Sequence, residues 1–257
     1  MAFDFDGTLS EIVSRPEQAV LDPALAPALD RLADLVGYMA VISARDRDTL
    51  SRLVPRGWLT LGSYGLELPE SISASGYPDG FDPVAARAAL DAAEHDLAAL
   101  VGRWPLARLE RKTWGMAIHF RGGAEEVFAD AETFAEIETI AAGQGCRAVA
   151  GRLVIEVEPI GAVNKGWAVR YLVDHLGPSA VTFTGDDLGD VAAWKTVGEL
   201  SVAMPALSCG IESPELVPAA LESCDIVLAG RDQLAELLGW LIQLAESWPG
   251  EGRPNLG

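Results

Sequence analysis

The stretch Phe3-Asp4-Phe5-Asp6-Gly7-Thr8-Leu9 decides the fold of this chain. Its alternation is typical of a strand that runs into a turn, and the two-residue period of a strand places Asp4 and Asp6 on one side. Gly7 allows a sharp turn and the close approach of a ligand. Paired carboxylates at a strand end suit a hard cation, and one of them could act as a nucleophile. The alternative is an ordinary strand that ends in an Asp-Gly turn.

The composition bounds the classes of protein that the chain can belong to. Its 257 residues correspond to one large domain or two small ones. A net charge of −19 disfavours nucleic acid and anionic membranes as partners. The three cysteines are too few and too scattered for a disulfide framework or a zinc site. Because no membrane-spanning apolar run and no export signal are visible, we expect a cytoplasmic protein. We also expect a monomer whose partner is a small molecule.

The N-terminal and C-terminal parts of the chain share one pattern, in which short apolar runs alternate with amphipathic segments. Residues 38–42 and 58–61 predict buried strands, and residues 23–36 predict a helix before them. This alternation predicts an α/β fold with a doubly wound, Rossmann-like parallel sheet. Ligands bind at the carboxyl ends of the strands in such sheets, and Ser43 and Gly62-Ser63 fall at those ends.

The middle of the chain has a different pattern. Helices are predicted over residues 83–101 and 125–142, and they are interleaved with pairs of short strands. This describes a small α+β unit that is distinct from the parallel sheet. We therefore expect two domains with the following bounds: a core of residues 1–67 and 161–257, and an inserted α+β domain of residues 68–160.

The α/β pattern returns after the insert. Strands are expected at residues 180–183, 200–203 and 225–228, separated by helical segments. Residues 251–257 are polar and are expected to be loose. These elements would complete the parallel sheet begun by the N-terminal segment.

Three further polar signals follow the first motif. Ser43 ends a strand where the amides of the next helix would help to bind an anion, although it could instead cap that helix. Lys165 begins a helix, which is a poor place for a cation unless an anion lies nearby, and its alternative is a solvated side chain. Gly185-Asp186-Asp187 and Asp190 cluster acids after a strand, which predicts either a cation site or an acidic turn.

The order of these signals resembles the four motifs of the haloacid dehalogenase superfamily of phosphotransferases. The insert falls between the second and third motifs, where the larger cap domains of that superfamily sit. The resemblance implies that Asp4 is the nucleophile and Asp6 the general acid/base. It also implies that Ser43 and Lys165 hold the phosphoryl oxygens.

The same resemblance implies a metal site. Mg²⁺ would rest on Asp4, on the carbonyl of Asp6 and on Asp186, with Asp187 and Asp190 in supporting positions. The chemistry is coherent, because a phosphate monoester and a carboxylate repel each other until a cation neutralises both.

Longer runs are similar to one branch, the trehalose-6-phosphate phosphatase family. They are D-F-D-G-T-L-S-E-I-V from residue 4, V-I-S-A-R-D from 41, E-R-K-T-W-G-M-A-I-H-F-R from 110 and V-I-E-V-E-P from 154. In the insert, the resemblance implies that Glu110, Lys112 and Glu156 grip sugar hydroxyls. The alternative for these three residues is an exposed strand face with cross-strand charge pairs.

Three core positions complete the expected substrate site. These are Arg45, Gly62 and Ser63, which lie in runs that also resemble the family. The expected activity is therefore Mg²⁺-dependent hydrolysis of trehalose 6-phosphate through an aspartyl-phosphate.

Several positions depart from the family pattern. Tyr64 stands where histidine is usual, Glu158 where arginine is usual, and Val191 lies in a fourth motif that lacks several of its usual polar residues. The core catalytic groups are retained, but the identity of the sugar is left open. The alternatives are a phosphatase of another sugar or glycosyl phosphate, and a non-catalytic sugar-phosphate sensor.

Overall fold

The structure, a computed structural model, describes residues 1–13, 15–151, 153–213 and 218–247. It divides into two compact units. The first comprises residues 1–77 and the described residues from 163 onward, and the second comprises residues 78–162. Residues 68–77 group with the first unit, and the domain bounds at 67 and 161 stay predictions.

The described residues form ten strands, numbered in chain order: β1 (Ala2–Phe3), β2 (Ala40–Ile42), β3 (Leu59–Leu61), β4 (Arg108–Lys112), β5 (Gly115–His119), β6 (Cys146–Ala150), β7 (Val154–Pro159), β8 (Val181–Gly185), β9 (Ala206–Ile211) and β10 (Ile226–Leu228). They also form nine α-helices: α1 (Ala26–Leu35), α2 (Arg47–Leu53), α3 (Pro83–Val101), α4 (Glu125–Ala129), α5 (Ala131–Gly143), α6 (Lys165–Leu176), α7 (Val191–Leu200), α8 (Pro218–Leu221) and α9 (Arg231–Ser247). No helix in the described ranges is both long and apolar enough to cross a membrane.

The first unit is built on a parallel sheet with the strand order β10-β9-β8-β1-β2-β3. The two-residue strand β1 lies in the middle, where Ala2 pairs with Ala40 of β2 on one side and with Phe183 of β8 on the other. The chain adds strands first on one side of β1 and later on the other, so the strand order reverses at β1. The crevice at such a reversal is the usual ligand site of an open α/β sheet.

Helices cover both faces of this sheet, because alternate residues of each buried strand point to opposite faces. Phe3 and Val41 pack in one apolar cluster with residues of α1 and α9. Ile42 and Phe183 pack in a second cluster with Trp194 and other residues of α6 and α7. The predicted doubly wound α/β core is confirmed.

The second unit is built on an antiparallel sheet with the strand order β4-β5-β7-β6. One face packs against α3 and α5, where Leu90, Ile118, Ile137 and Val157 lie in a buried cluster. The opposite face carries polar side chains such as Lys112 and Glu156. Arg111 of β4 instead lies on the helix side and pairs with Asp91 of α3 over 2.8 Å. This separate sheet agrees with the predicted α+β unit.

Two predicted elements are wrong. Residues 200–203 are not a strand, because Leu200 ends α7 and Val202 is 90% exposed; the strand forms instead at Ala206–Ile211, between β8 and β10. The helix predicted over 125–142 is two helices, because the backbone of Asp130 is extended and its carboxylate caps α5 at the amide of Glu132. The expectation of a loose segment over 251–257 lies outside the described residues.

Candidate active site

A buried ammonium group lies between two buried carboxylates at the carboxyl ends of β1 and β8. Asp4 directly follows β1, and its amide donates to the carbonyl of Thr184 over 2.8 Å. Lys165 Nζ lies 2.7 Å from Asp4 Oδ1 and 2.7 Å from Asp190 Oδ1. The side chain of Lys165 is 2% exposed. One cation therefore links Asp4, the first aspartate of the chain, to Asp190, the last aspartate of the acidic loop of residues 186–190 that follows β8.

The sequence places this lysine where a cation is least favoured. Lys165 is the first residue of α6, and Asn164 caps the helix by accepting from the amide of Trp167 over 2.9 Å. A helix N-terminus repels positive charge, and burial disfavours it further. Asp190 and Asp4 outweigh both effects and raise the pKa of Lys165 above its usual value, so it stays charged. The alternative of a solvated lysine is wrong.

The loop after β8 owes its shape to Asp190. Its Oδ2 accepts from the amides of Asp186 and Asp187 over 2.9 and 3.0 Å, while its Oδ1 accepts from Lys165. Asp186 in turn accepts from the hydroxyl of Thr8 over 3.2 Å. Both oxygens of Asp190 are therefore engaged, and this residue holds the loop.

The carboxylates of this loop and Asp4 form a cluster that fits a hard cation. Asp4, Asp186 and Asp190 each offer an oxygen, and these atoms all lie within 4.8 Å of one another. Within the described part of the chain, the buried Oδ1 of Asp187 has no hydrogen-bond partner. The donors are all carboxylate oxygens, which suit magnesium, calcium or manganese.

The electrostatics of the cluster agree with that fit. Burial and, after it, the neighbouring carboxylates raise the pKa of Asp4 and that of Asp186 to about 8, although Lys165 lowers both. A divalent cation would stabilise the charged carboxylates and reverse this shift. The residues present therefore fit a bound divalent metal.

Glycine is required at position 7 because the turn after β1 and the acidic loop lie very close together there. Its φ is +83°, and a Cβ at this position would lie 2.1 Å from Asp186 Oδ2. A side chain at residue 7 would displace the carboxylate of Asp186. The turn glycine expected from the sequence thus gives the acidic loop access to the end of β1.

Asp6 lies on the solvent side of the same turn. Arg45 donates to it through two nitrogens, Nε to Oδ2 and Nη2 to Oδ1, each over 2.7 Å. Such a bidentate pair fixes both position and orientation. The guanidinium carbon of Arg45 also lies 5.6 Å from the ring centroid of Phe5.

Ser43 is fully buried at the end of β2 and does not cap the following helix. The cap of α2 is Asp46, whose carboxylate accepts from the amide of Thr49 over 2.8 Å. The hydroxyl of Ser43 instead accepts from the amide of Arg45 over 3.2 Å. The helix-cap alternative for Ser43 is therefore wrong.

Gly62 and Ser63 follow β3 beside the loop that carries Ser43. A Cβ on Gly62 would lie 2.3 Å from the amide nitrogen of Arg47. The amide of Ser63 donates to the carbonyl of Arg45 over 2.8 Å. The structure thus brings the predicted core residues together at one edge of the parallel sheet.

The other three predicted substrate residues lie on the polar face of the second unit. Lys112 donates to Glu156 over 2.7 Å, although their strands are separated by β5. The contact is possible because β5 carries only Gly115 opposite Lys112 and Ala117 opposite Glu156. The charge pairing that the sequence left as an alternative is thus present.

His119 is a polar residue of this face that sequence reasoning missed. Its Nε2 lies 2.7 Å from Glu110 Oε2. The register of the β4–β5 hairpin could have predicted this contact from the sequence. A hairpin around residues 113–114 pairs Arg108 with His119, and this puts His119 diagonal to Glu110.

Comparison with known proteins identifies the family. The family model described as trehalose-phosphatase matches residues 2–215. The chain belongs to the trehalose-phosphatase family. It is 36% identical over 214 residues to a protein of Mycobacterium marinum named trehalose-phosphate phosphatase, and the match covers 79% of this chain. The chain spans about half the length of the curated relatives it matches, 52% in that case.

Solved structures identify the fold of this trehalose-phosphatase family member. The C-terminal domain of Candida albicans trehalose-6-phosphate phosphatase matches with a TM-score of 0.70 at 22% identity, covering 94% of this chain and 91% of that one. A haloacid dehalogenase-like hydrolase from Bacteroides thetaiotaomicron matches with a TM-score of 0.62 at 14% identity, covering 93% and 98%. The predicted haloacid dehalogenase-like fold is confirmed.

Substitution of Lys165 by methionine tests the ammonium between Asp4 and Asp190. We expect Lys165→Met to lower the free energy of unfolding by about 3–5 kcal/mol, because two buried carboxylates lose their counter-ion. Urea unfolding of the metal-free protein measures this change. Lys112→Met is the matched control, since its pair with Glu156 has the same length but is partly exposed; it should cost below about 1 kcal/mol. Equal losses in the two variants would contradict the argument.

Proposed function

We propose that this chain is a Mg²⁺-dependent phosphatase that hydrolyses trehalose 6-phosphate to trehalose and phosphate through an aspartyl-phosphate on Asp4. The observation that carries the proposal is the buried carboxylate of Asp4, 2.7 Å from Lys165 and within the acidic cluster. A carboxylate sequestered from water beside a cation is suited to attack phosphorus. The names of the curated relatives support the substrate.

The residues divide the phosphoryl transfer between them. A carboxylate oxygen of Asp4 attacks phosphorus, and the bond from phosphorus to the sugar oxygen breaks. Asp6 gives its proton to the departing sugar oxygen and then takes a proton from the water that hydrolyses the acyl phosphate. Lys165 and Ser43 hold the phosphoryl oxygens, so the charge that develops on them is balanced.

The pair of Asp6 and Arg45 bears on the acid step. Asp6 has to reach the departing sugar oxygen to act as an acid, but both of its carboxylate oxygens accept from Arg45 in this structure. An incoming phosphate offers Arg45 a second anionic partner. We propose that Arg45 turns to the substrate, which makes it a substrate ligand as expected and leaves the oxygens of Asp6 free to contact the sugar oxygen.

Magnesium is proposed for the acidic cluster. Asp4, the Asp6 carbonyl and Asp186 would hold it, and the unpartnered Oδ1 of Asp187 favours that residue over Asp190 as a further ligand. When bound, the ion supplies the positive charge that lets a phosphate approach a carboxylate. The residues of this chain then need only to orient the phosphate and to move the proton at Asp6.

The polar face of the second unit is proposed to select the sugar. Glu110, Lys112 and Glu156 present donors and acceptors above Gly115 and Ala117 of β5. A disaccharide that satisfies these groups is favoured, and a sugar that leaves one of them buried and unpaired is rejected. Gly62 and Ser63 are proposed to contact the phosphate end.

A second candidate, a phosphatase of another glycosyl phosphate, rests on Glu158. This carboxylate stands where the family usually has arginine, and Arg147 holds it over 2.9 Å. This face therefore carries an acid where the family usually has a base, and burial raises the pKa of the Glu158 carboxyl. The sensor alternative is less well supported, because a binding protein has no use for a buried nucleophile. We expect a cytoplasmic monomer in either case.

Substitution of the proposed nucleophile tests the function directly. Asp4→Asn should lower phosphate release from trehalose 6-phosphate by about 10³-fold or more, since an amide cannot form the acyl phosphate. Circular dichroism checks the fold, and Asp30→Asn on the exposed surface of α1 is the control. Near-parental turnover by folded Asp4→Asn would refute the assignment. A parent protein inactive on a panel of sugar phosphates would instead support the sensor.

Removal of divalent metal tests the acidic cluster. Excess chelator should abolish phosphate release, and added Mg²⁺ should restore it. Calcium should restore much less activity, because its larger and looser coordination disturbs the alignment of attack. Full activity in chelator would exclude the metal from the reaction.

Two substrates tested on one variant separate sugar selection from chemistry. Glu110→Ala and Glu156→Ala should each lower kcat/KM for trehalose 6-phosphate by about 10-fold or more, because remote binding energy is lost. Both should hydrolyse p-nitrophenyl phosphate nearly as well as the parent, since that substrate lacks the sugar. Glu136→Ala on α5 is a matched glutamate control. Equal losses on both substrates would show a structural role instead.

A further inference from the structure

The turn after β3 holds two neighbouring non-glycine residues in the left-handed region. Ser63 has a φ of 49°, and Tyr64 has a φ of 60° with a ψ of 20°. This conformation is unfavourable for residues with a Cβ and is unusual for a side chain as bulky as tyrosine. Glycines flank the pair at residues 62 and 65, but the strained positions themselves carry side chains. Such strain persists where surrounding structure enforces it, and it clusters at functional sites.

Two hydrogen bonds enforce the strain. The amide of Ser63 donates to the carbonyl of Arg45, and the amide of Tyr64 donates to the carbonyl of Ser43, each over 2.8 Å. Gly65 follows with a φ of 101°, and a Cβ there would lie 2.5 Å from Ala168 Cβ on α6. The turn is therefore fixed on one side to residues 43–45, the Ser43 segment, and on the other side to α6.

The ring of Tyr64 lies near the acidic loop. A Cβ built on Gly189 would be 3.5 Å from Tyr64 Cε1, and Gly189 directly precedes Asp190. In the sheet, β3 and β8 are separated by β1 and β2. Tyr64 thus extends from the loop after the edge strand β3 towards the loop after β8, past the ends of the two strands that Asp4 and Ser43 follow.

We infer that Tyr64 is a positioning residue whose ring holds the 186–190 loop in register with the Ser43 segment, and so keeps the acidic cluster in shape. The strained backbone aims the ring across the site, which a relaxed turn would not do. The inference rests on the proposed function in so far as the cluster binds metal. Its structural content, the order of the 186–190 loop, does not depend on the reaction.

Tyr64→Gly tests the inference, because it removes the ring and at the same time relieves the left-handed strain. Hydrogen–deuterium exchange of the metal-free protein should show faster exchange in peptides that cover residues 186–190, with thermal stability unchanged or raised. Mn²⁺ affinity, measured by calorimetry, should fall by about 10-fold or more, as is usual when a residue behind a metal ligand is lost. With p-nitrophenyl phosphate, kcat should fall more than KM rises.

Three further variants make the test decisive. Tyr64→Phe should restore the parental exchange and Mn²⁺ affinity, because it keeps the ring. Leu153→Gly relieves a similar φ of 56° in the second unit and should leave both readouts unchanged. If Tyr64→Gly does not fold, Tyr64→Asn replaces it, since asparagine tolerates this conformation.

Parental exchange and Mn²⁺ affinity in folded Tyr64→Gly would overturn the inference, as would failure of both small variants to fold. A parent protein that binds no Mn²⁺ would refute the proposed metal site. In that event the exchange comparison still decides the role of Tyr64, so the two failures are distinguishable.

Discussion

The arrangement of the first unit depends on one buried ammonium group. Lys165 Nζ lies 2.7 Å from a carboxylate oxygen of Asp4 and from one of Asp190, and hardly any of its side chain is exposed. Removing three charges from water is costly unless each is paired and hydrogen-bonded. Here the other oxygen of Asp190 accepts two loop amides, so the same network that neutralises the charges also sets the shape of the acidic loop.

This network also fixes the end of the central strand. The amide of Asp4 donates to β8, and the carboxylate of Asp4 bonds to Lys165 of α6. Gly7 then brings the turn within reach of Asp186. The same few contacts among β1, β8 and α6 therefore hold the candidate site together and join the two halves of the sheet at its reversal point.

The second unit presents polar groups on one face of its antiparallel sheet. Its inner face is mostly apolar and packs on helices, with Arg111 paired to Asp91 of α3, while its outer face pairs acids with bases across strands. Gly115 and Ala117 of β5 let groups from β4 and β7 meet above it. Partly exposed pairs of this kind contribute little to stability. If they bind a sugar as proposed, groups that are already ordered by pairing would lower the entropy cost of binding.

The sequence by itself determined the fold class, the family and the candidate groups Asp4, Asp6, Ser43 and Lys165, because period, strand ends and motif order are local or sequential properties. The sequence pattern misplaced the strand at 200–203 and missed the break at Asp130. An apolar pattern does not show which of two neighbouring segments becomes buried as a strand, or where a side chain caps a new helix. Only the tertiary structure decided that Lys165 is shared by two carboxylates, that Arg45 holds Asp6 and that Tyr64 reaches Gly189. Those contacts join residues far apart in the chain, and their partners are fixed by the packing of loops and not by spacing in the sequence.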